Sequence, residues 1–465
     1  MGGEITSIYR RLPAGINPSA ISSLLWYLLV VVLSQALSSC TPYAPAARSA
    51  EEEILLPDSY SIQDSLHDPG QRWWQAIGDQ ELNSFVDEAL ADNQNLHSLW
   101  ARLERAEAQA QKAGADMKPS LAAAAGASYA KIKTDDSGST ELKDYSIGLA
   151  ASYEVDLWGR IRATRDSAVL AAEASREDLN AAAMTVAAEV TDRWVAILSQ
   201  RLQLQLLEQQ VSINKTYLEL VDLRFRMSLA SALDVFQQKQ LVERAIAQQP
   251  LVEMQERMLQ NQLAVLLGRM PNQIVQISRE EMPLLEKVPA SGLPLQLLEN
   301  RPDIVAALRR LEASDQALAA AQADRLPALR LTGSGTYDSG KLEDVFDNWM
   351  ANLGAALTAP ILDGGRRRAE VDISQAEVKQ QLAEYRQVVL TAVREVEDAL
   401  ISETKIRENI AALENQLESA QKGLTEARSR YINGLNDYLP VLTQLLSVQD
   451  LEKNLIQRNE DLLAA

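Results

Sequence analysis

The sequence predicts an internally duplicated α+β membrane protein, each copy built as a helix, a β-hairpin, a very long helix, a turn and a further helix. Three observations carry this. Asp144–Arg160 alternates apolar and polar residues for at least the ~9–11 residues that cross a bilayer as tilted β-structure. From Trp158 to about Phe225 no proline interrupts a helical pattern. The whole pattern then recurs in the second half of the chain.

Composition bounds the rest. The chain has 465 residues, 4 Phe and 5% aromatics, and is dominated by Ala, Leu, Gln, Glu and Arg, a mix that favours long helices. Two histidines, His67 and His97, stand far apart and there is 1 Cys, so no metal site is expected. A net charge of −19 argues against nucleic acid as a partner.

The N-terminus reads as a targeting segment. Arg10 and Arg11 flank an apolar run, Ile21–Leu33, too short to span a membrane comfortably. Leu37-Ser38-Ser39 then leads to Cys40, the lone cysteine. Small residues before a cleavage point mark residues 1–39 as a leader, with Cys40 first in the mature chain. Losing Glu4, Arg10 and Arg11 with it leaves the mature chain one charge more negative. Residues 40–95 form a Pro/Ser/Ala/Asp-rich tether followed by a short helical region opened by Arg72-Trp73-Trp74.

The first copy, 96–268, begins with a helix over Leu96–Met117 that Pro119 stops. A strand follows over Leu121–Lys133, with Leu121, Ala123, Ala125, Ala127 and Tyr129 on one face. A polar loop, Thr134–Thr140, turns the chain into Asp144–Arg160. The helix from Trp158 is on the order of 100 Å long, with Val186, Val190, Trp194, Leu198, Leu202, Leu206 and Val211 at coiled-coil spacing. A connection over Met227–Ser231 leads to a helix from Ala232 to Leu267, bent at Pro250 and capped by Gly268. A Pro-rich linker, 269–299, separates the copies.

The second copy, 300–465, opens at Asn300-Arg301-Pro302-Asp303 with a helix ending near Arg325. Strands follow from Leu326 and over Trp349–Pro360. A helix then runs to about Arg430, a turn covers Tyr431–Asp437, and a last helix follows. Pairing Pro119 with Pro327, Arg160 with Arg366 and Arg226 with Arg430 gives offsets of 208, 206 and 204, the drift expected of a tandem duplication.

Four strands are too few to close a barrel, and a membrane sheet tolerates no free edge. A closed cyclic oligomer resolves this, and a trimer supplies about twelve strands.

The chain resembles the TolC/OprM-like outer-membrane factors, in particular the lipoprotein branch that forms the exit duct of resistance-nodulation-division efflux systems. The resemblance rests on Cys40 with its lipobox, Trp73-Trp74, Pro119-Ser120-Leu121, Tyr153–Arg160, Asn300–Ile304, Leu326–Leu329, Pro360–Arg366, and Arg430-Tyr431 with Gly434. It covers nearly all of residues 40–465. It implies a homotrimer, with a twelve-stranded outer-membrane β-barrel continuous with a periplasmic α-helical coiled-coil barrel. It also implies an equatorial region from residues near 57–95, 270–299 and the C-terminus. The implied cofactor is none beyond covalent lipid on Cys40. The implied partners are outer-membrane lipid, a periplasmic adaptor protein and an inner-membrane resistance-nodulation-division pump.

No reactive constellation argues for an enzyme. The polar sites of interest are the two helix turns, which in the family close the tunnel and meet the adaptor. The expectation is that Asp234 and Asp437 form the constriction, with Arg226, Arg430 and Tyr431 as tethering partners. Gly434 and Leu435 are the expected adaptor contact. The first turn has Leu229-Ala230-Ser231 where glycine is common in the family. Ordinary helix capping is the competing role for the aspartates. Two other readings compete: a duct for type I protein secretion, and a periplasmic coiled-coil scaffold lipoprotein.

Overall fold

The computed structural model describes residues 72–134, 138–273, 275–283, 298 and 300–465. Cys40, the leader, the tether and His67 lie outside them. The described chain falls into two units.

The sheet unit comprises residues 107–171 and 311–381. It holds β1 (Ser120–Thr134), β2 (Gly138–Val155), β3 (Ala328–Ser339) and β4 (Trp349–Thr358), antiparallel in the order β1-β2-β3-β4. The register pairs Ala123 with Leu149, Leu149 with Gly335, and Gly335 with Ala351. Odd-numbered residues of all four strands therefore share one face, because side chains alternate with period two.

That face is a continuous apolar band: Leu121, Ile147, Leu149, Leu331, Leu353 and Leu357 stand exposed on it. Tyr129, Tyr145, Tyr337 and Trp349 border it at the hairpin end. Beyond them the same face turns charged, with Lys131, Lys133, Glu141 and Lys143. An aromatic rim followed by charge is the pattern of a membrane border. The small residues Gly333 and Gly335 sit opposite Leu353 and Leu149, so the band stays greasy where one strand lacks bulk.

The strand limits differ from expectation in two places. β2 begins at Gly138 and pairs back to Thr134, so most of the expected polar loop is ladder and only residues 135–137 lie outside the described chain. At its other end β2 stops at Val155, and the long helix begins at Arg160 rather than Trp158. There Asp156 accepts from the N–H groups of Ile161 (3.0 Å) and Arg162 (2.8 Å), satisfying donors that a helix start leaves orphaned. Gly159 takes a left-handed φ of 78°, and Trp158 Nε1 donates to the Pro327 carbonyl at 2.7 Å. The matching turn after β4 uses Asp363 on the Gly365 and Arg367 N–H groups.

The helical unit comprises residues 72–106, 172–310 and 382–465. The α-helices of the described residues are α1 (Gln80–Asp92), α2 (Gln94–Ala115), α3 (Arg160–Arg226), α4 (Ala232–Leu266), α5 (Pro302–Ala323), α6 (Arg366–Ile432) and α7 (Leu439–Ala464). The copies match in length: α2 and α5 have 22 residues each, α3 and α6 have 67 each. Pro250 does not end α4, which continues through it.

The core of this unit gathers around Trp194 of α3, fully buried among Leu82, Phe85 and Val86 of α1 and Leu259 and Leu263 of α4. The segment after α4 is clipped to α1. Arg279 pairs with Asp79 at 3.0 Å, the carboxylate of Glu81 takes the N–H and hydroxyl of Ser278, and Arg269 pairs with Glu88.

Candidate functional site

The two helix turns of the helical unit have one backbone. In the first, Met227 N–H donates to Leu223 O (3.2 Å), Ser228 to Phe225 O (2.9 Å) and Leu229 to Arg224 O (2.8 Å). In the second, Asn433 donates to Ser429 O (3.1 Å), Gly434 to Tyr431 O (3.1 Å) and Leu435 to Arg430 O (2.9 Å). Both end in a left-handed residue, Ser228 at φ 60° and Gly434 at φ 73°, which frees the next N–H to reach back and close the helix.

This corrects the sequence pairing. The offset does not drift to 204. It stays at 206 through the turn, so Arg430 matches Arg224, and Arg226 matches Ile432. The glycine of the second turn is answered by Ser228, one residue before the Leu229-Ala230-Ser231 stretch.

Asp234 sits third in α4 and forms a reciprocal cap: its N–H donates to Ser231 Oγ (3.2 Å) and its carboxylate accepts from Ser231 N (2.9 Å). Asp437 occupies the position that matches Ser231, is exposed, and precedes α7. Arg226 pairs with Asp222 at 2.6 Å and Arg430 with Glu426 at 2.8 Å, each one turn back on its own helix. Among the described residues no ion pair joins these arginines to Asp234 or Asp437. Gly434 and Leu435 are exposed beside Leu439, and the first turn exposes Met227, Leu229, Leu233 and Phe236.

Tyr431 is buried, and the residue that meets it is Arg224, not the expected Arg226 or Arg430. The guanidinium lies 4.5 Å from the Tyr431 ring centroid, and Nη1 donates to the Ile432 carbonyl at 3.1 Å. The end of α3 is thereby clasped to the end of α6. Below it Tyr438, fully buried, packs on Tyr431 at 5.2 Å between centroids.

Tyr438 also donates its hydroxyl proton to Gln238 Oε1 at 2.6 Å. Gln238 Nε2 passes the chain of bonds to the Asn214 carbonyl (2.8 Å), and Gln449 Nε2 donates to Asn214 Oδ1 (3.0 Å). Burial pushes Tyr217, Tyr431 and Tyr438 up, Tyr438 far enough that it stays a neutral donor. The signal for this network was present as polar residues at core spacing along α3, where apolar ones are expected.

No group of His, Cys, Asp and Glu among the described residues could hold a metal ion, and His97 is exposed. No described helix is long and apolar enough to cross a membrane. Exposed apolar residues lie on the sheet face and at the two helix turns.

A family model described as "Outer membrane efflux protein" matches residues 85–269 and 293–465. The chain belongs to the outer membrane efflux protein family. It is 35% identical to the pyoverdine export outer membrane protein OpmQ of Pseudomonas aeruginosa over 381 residues, covering 80% of each chain. It is 33% identical to outer membrane protein OprJ of the same organism, covering 91% of this chain and 88% of that one. A solved membrane protein from Pseudomonas aeruginosa superposes with a TM-score of 0.83 at 31% identity, over 91% of this chain and 98% of that chain. The outer-membrane channel OprN does so with a TM-score of 0.81 at 26% identity, over 91% and 95%.

The family consists of efflux channels rather than enzymes. The protein is accordingly an outer-membrane exit duct with a large periplasmic helical portion.

Proposed function

We propose that three copies close one twelve-stranded barrel and continue as a helical tunnel, through which small molecules pass without chemistry by this chain. The observation that carries the reading is a four-stranded sheet with one continuous apolar face and two unpaired edges, β1 and β4. In hydrocarbon every unpaired backbone group costs several kcal/mol, so the edges of one chain need those of others. Cys40 carries the lipid that holds the N-terminus at the membrane, at roughly 0.8 kcal/mol per buried CH₂.

Energy comes from an inner-membrane resistance-nodulation-division pump, joined through a periplasmic adaptor. The exposed apolar residues of the two turns, Leu229, Leu233, Leu435 and Leu439, with Gly434 between, suit a helical adaptor surface. Of the two expected constriction aspartates, Asp437 is the more exposed, and three of them set the constriction. Asp234 serves its own helix, and the Arg224–Tyr431 clasp replaces the expected tether from Arg226 and Arg430.

Planar bilayers test this. Purified protein is expected to run as a trimer and to conduct, with Asp437→Asn conducting more than the parent and Asp234→Asn close to it. No trimer and no conductance, even with both aspartates neutralised, would sink the duct.

A further inference from the structure

The sheet's other face is almost free of charge. Its even-numbered residues include Ser146, Gly148, Ala150 and Ser152 on β2, Thr332, Ser334 and Thr336 on β3, and Asn352, Gly354 and Ala356 on β4. Charges occur only at its two ends. Asp144 and Asp338 lie at the hairpin end, while Glu154 and Arg330 pair in register at the helix end. Arg330 is the one cation on this face of the four described strands.

The surroundings of Arg330 leave its charge open to water. Its side chain is 62% exposed and reaches Glu154 Oε2 only at 3.5 Å. Glu154 is already held by Arg160 at 2.6 Å. The acids nearby are also engaged: Asp324 pairs with Arg367 at 2.8 Å, while Asp156 and Asp363 cap helix starts. Across the ladder stands Ala356, too short to cover a guanidinium. A cleft of about 660 Å³ opens here, lined by Glu154, Arg160, Arg330, Ala356 and Thr358 among others.

We propose that Arg330, repeated around the duct, is the residue that sets its charge selectivity at the base of the barrel by favouring anionic solutes. The proposal rests on the trimeric-duct reading above. Rings of arginine or lysine select anions because a fixed cation beside water lowers their energy and raises that of cations. The competing charge beside it is Glu154, in register with Arg330 and shared with Arg160, and the next on the same face of β3 is Asp338.

The test is the reversal potential of the full-length trimer in planar bilayers under a KCl gradient. Arg330→Gln is expected to raise the potassium-to-chloride permeability ratio by about twofold or more, as removal of a unit charge beside water implies. Arg330→Lys should keep the parent ratio. Glu154→Gln, which frees both arginines, should move it towards chloride, and decides the matter if the Arg330→Gln chain does not assemble. A ratio unmoved by Arg330→Gln, or by Glu154→Gln, overturns the assignment while leaving a conducting duct in place. A parent trimer that never conducts overturns the duct itself.

Discussion

Ser228 and Gly434 do the same job with different side chains. Only glycine enters the left-handed region without cost, and another residue gives up about 1–2 kcal/mol there. Ser228→Gly and Gly434→Ala should therefore shift local stability in opposite directions. Each shift is at most about 1 kcal/mol, because the chain entropy of glycine offsets part of the strain. Hydrogen exchange at residues 224–231 and 430–437 reads both. A second expectation concerns Glu452 and Glu460 on α7, both pushed up by burial, with hydrogen bonds to Gln210 and Ser199 opposing. A raised carboxyl pKa means that the folded state holds its proton more tightly. Their contribution to stability is thus complete below the unfolded Glu value, roughly pH 4.3, and is lost as pH rises through the folded values. Intrinsic-rate-corrected exchange protection of α7 should weaken from pH 4 towards 7, and Glu452→Gln with Glu460→Gln should flatten that trend. At this scale the sequence was partly legible. Tyr431 and Asp234 stood out by type and place. Arg224 did not, because the match to Arg430 depends on helical phase, and only an offset held at 206 reveals it.

The elements show how far a two-residue and a 3.6-residue period carry. Alternation in β2 and helical spacing in α3 located both, since burial on one face leaves a periodic trace. What alternation did not disclose was where strands end. β2 extends back to Gly138 because hairpin pairing continues past the apolar band, where Lys131, Lys133, Glu141 and Lys143 break the alternating pattern. It stops at Val155 because Asp156 satisfies helix donors better than it extends a ladder. The assigned faces make adjacent residues behave differently. Leu353, 95% exposed on the apolar face, lies beside Asn352 on the other. Leu353→Lys should cost about 2–4 kcal/mol near the bilayer midplane, and Asn352→Lys close to nothing. Denaturant titration of the refolded protein in lipid vesicles measures the difference. Equal costs would mean that the faces are wrongly assigned.

For the molecule as a whole, the decisive features are the edges of the sheet. A sheet in order β1-β2-β3-β4 leaves β1 and β4 unpaired, and its apolar face is wide but not closed. One chain in lipid would expose two rows of backbone donors and acceptors. The duplication explains why four strands come as two hairpins, each followed by a helix of 67 residues. It also limits the assemblies to be considered, since two hairpins per chain and a closed barrel would leave few stoichiometries. Register between chains is not legible in one copy, because in a closed ring it would be set by strand tilt and not by any residue within that copy. A cysteine scan addresses that pairing directly, against a natural background of a single cysteine at position 40. Ala124→Cys on β1 is combined in turn with cysteines at 350, 352, 354, 356 and 358 on β4, all on the same face, and oxidised in the membrane. Three chains closing one barrel should give, for one or two of these combinations, cross-linked bands of two and three chains and none larger. No cross-link from β1 to β4 in any combination, or a ladder running beyond three, would contradict the trimeric duct.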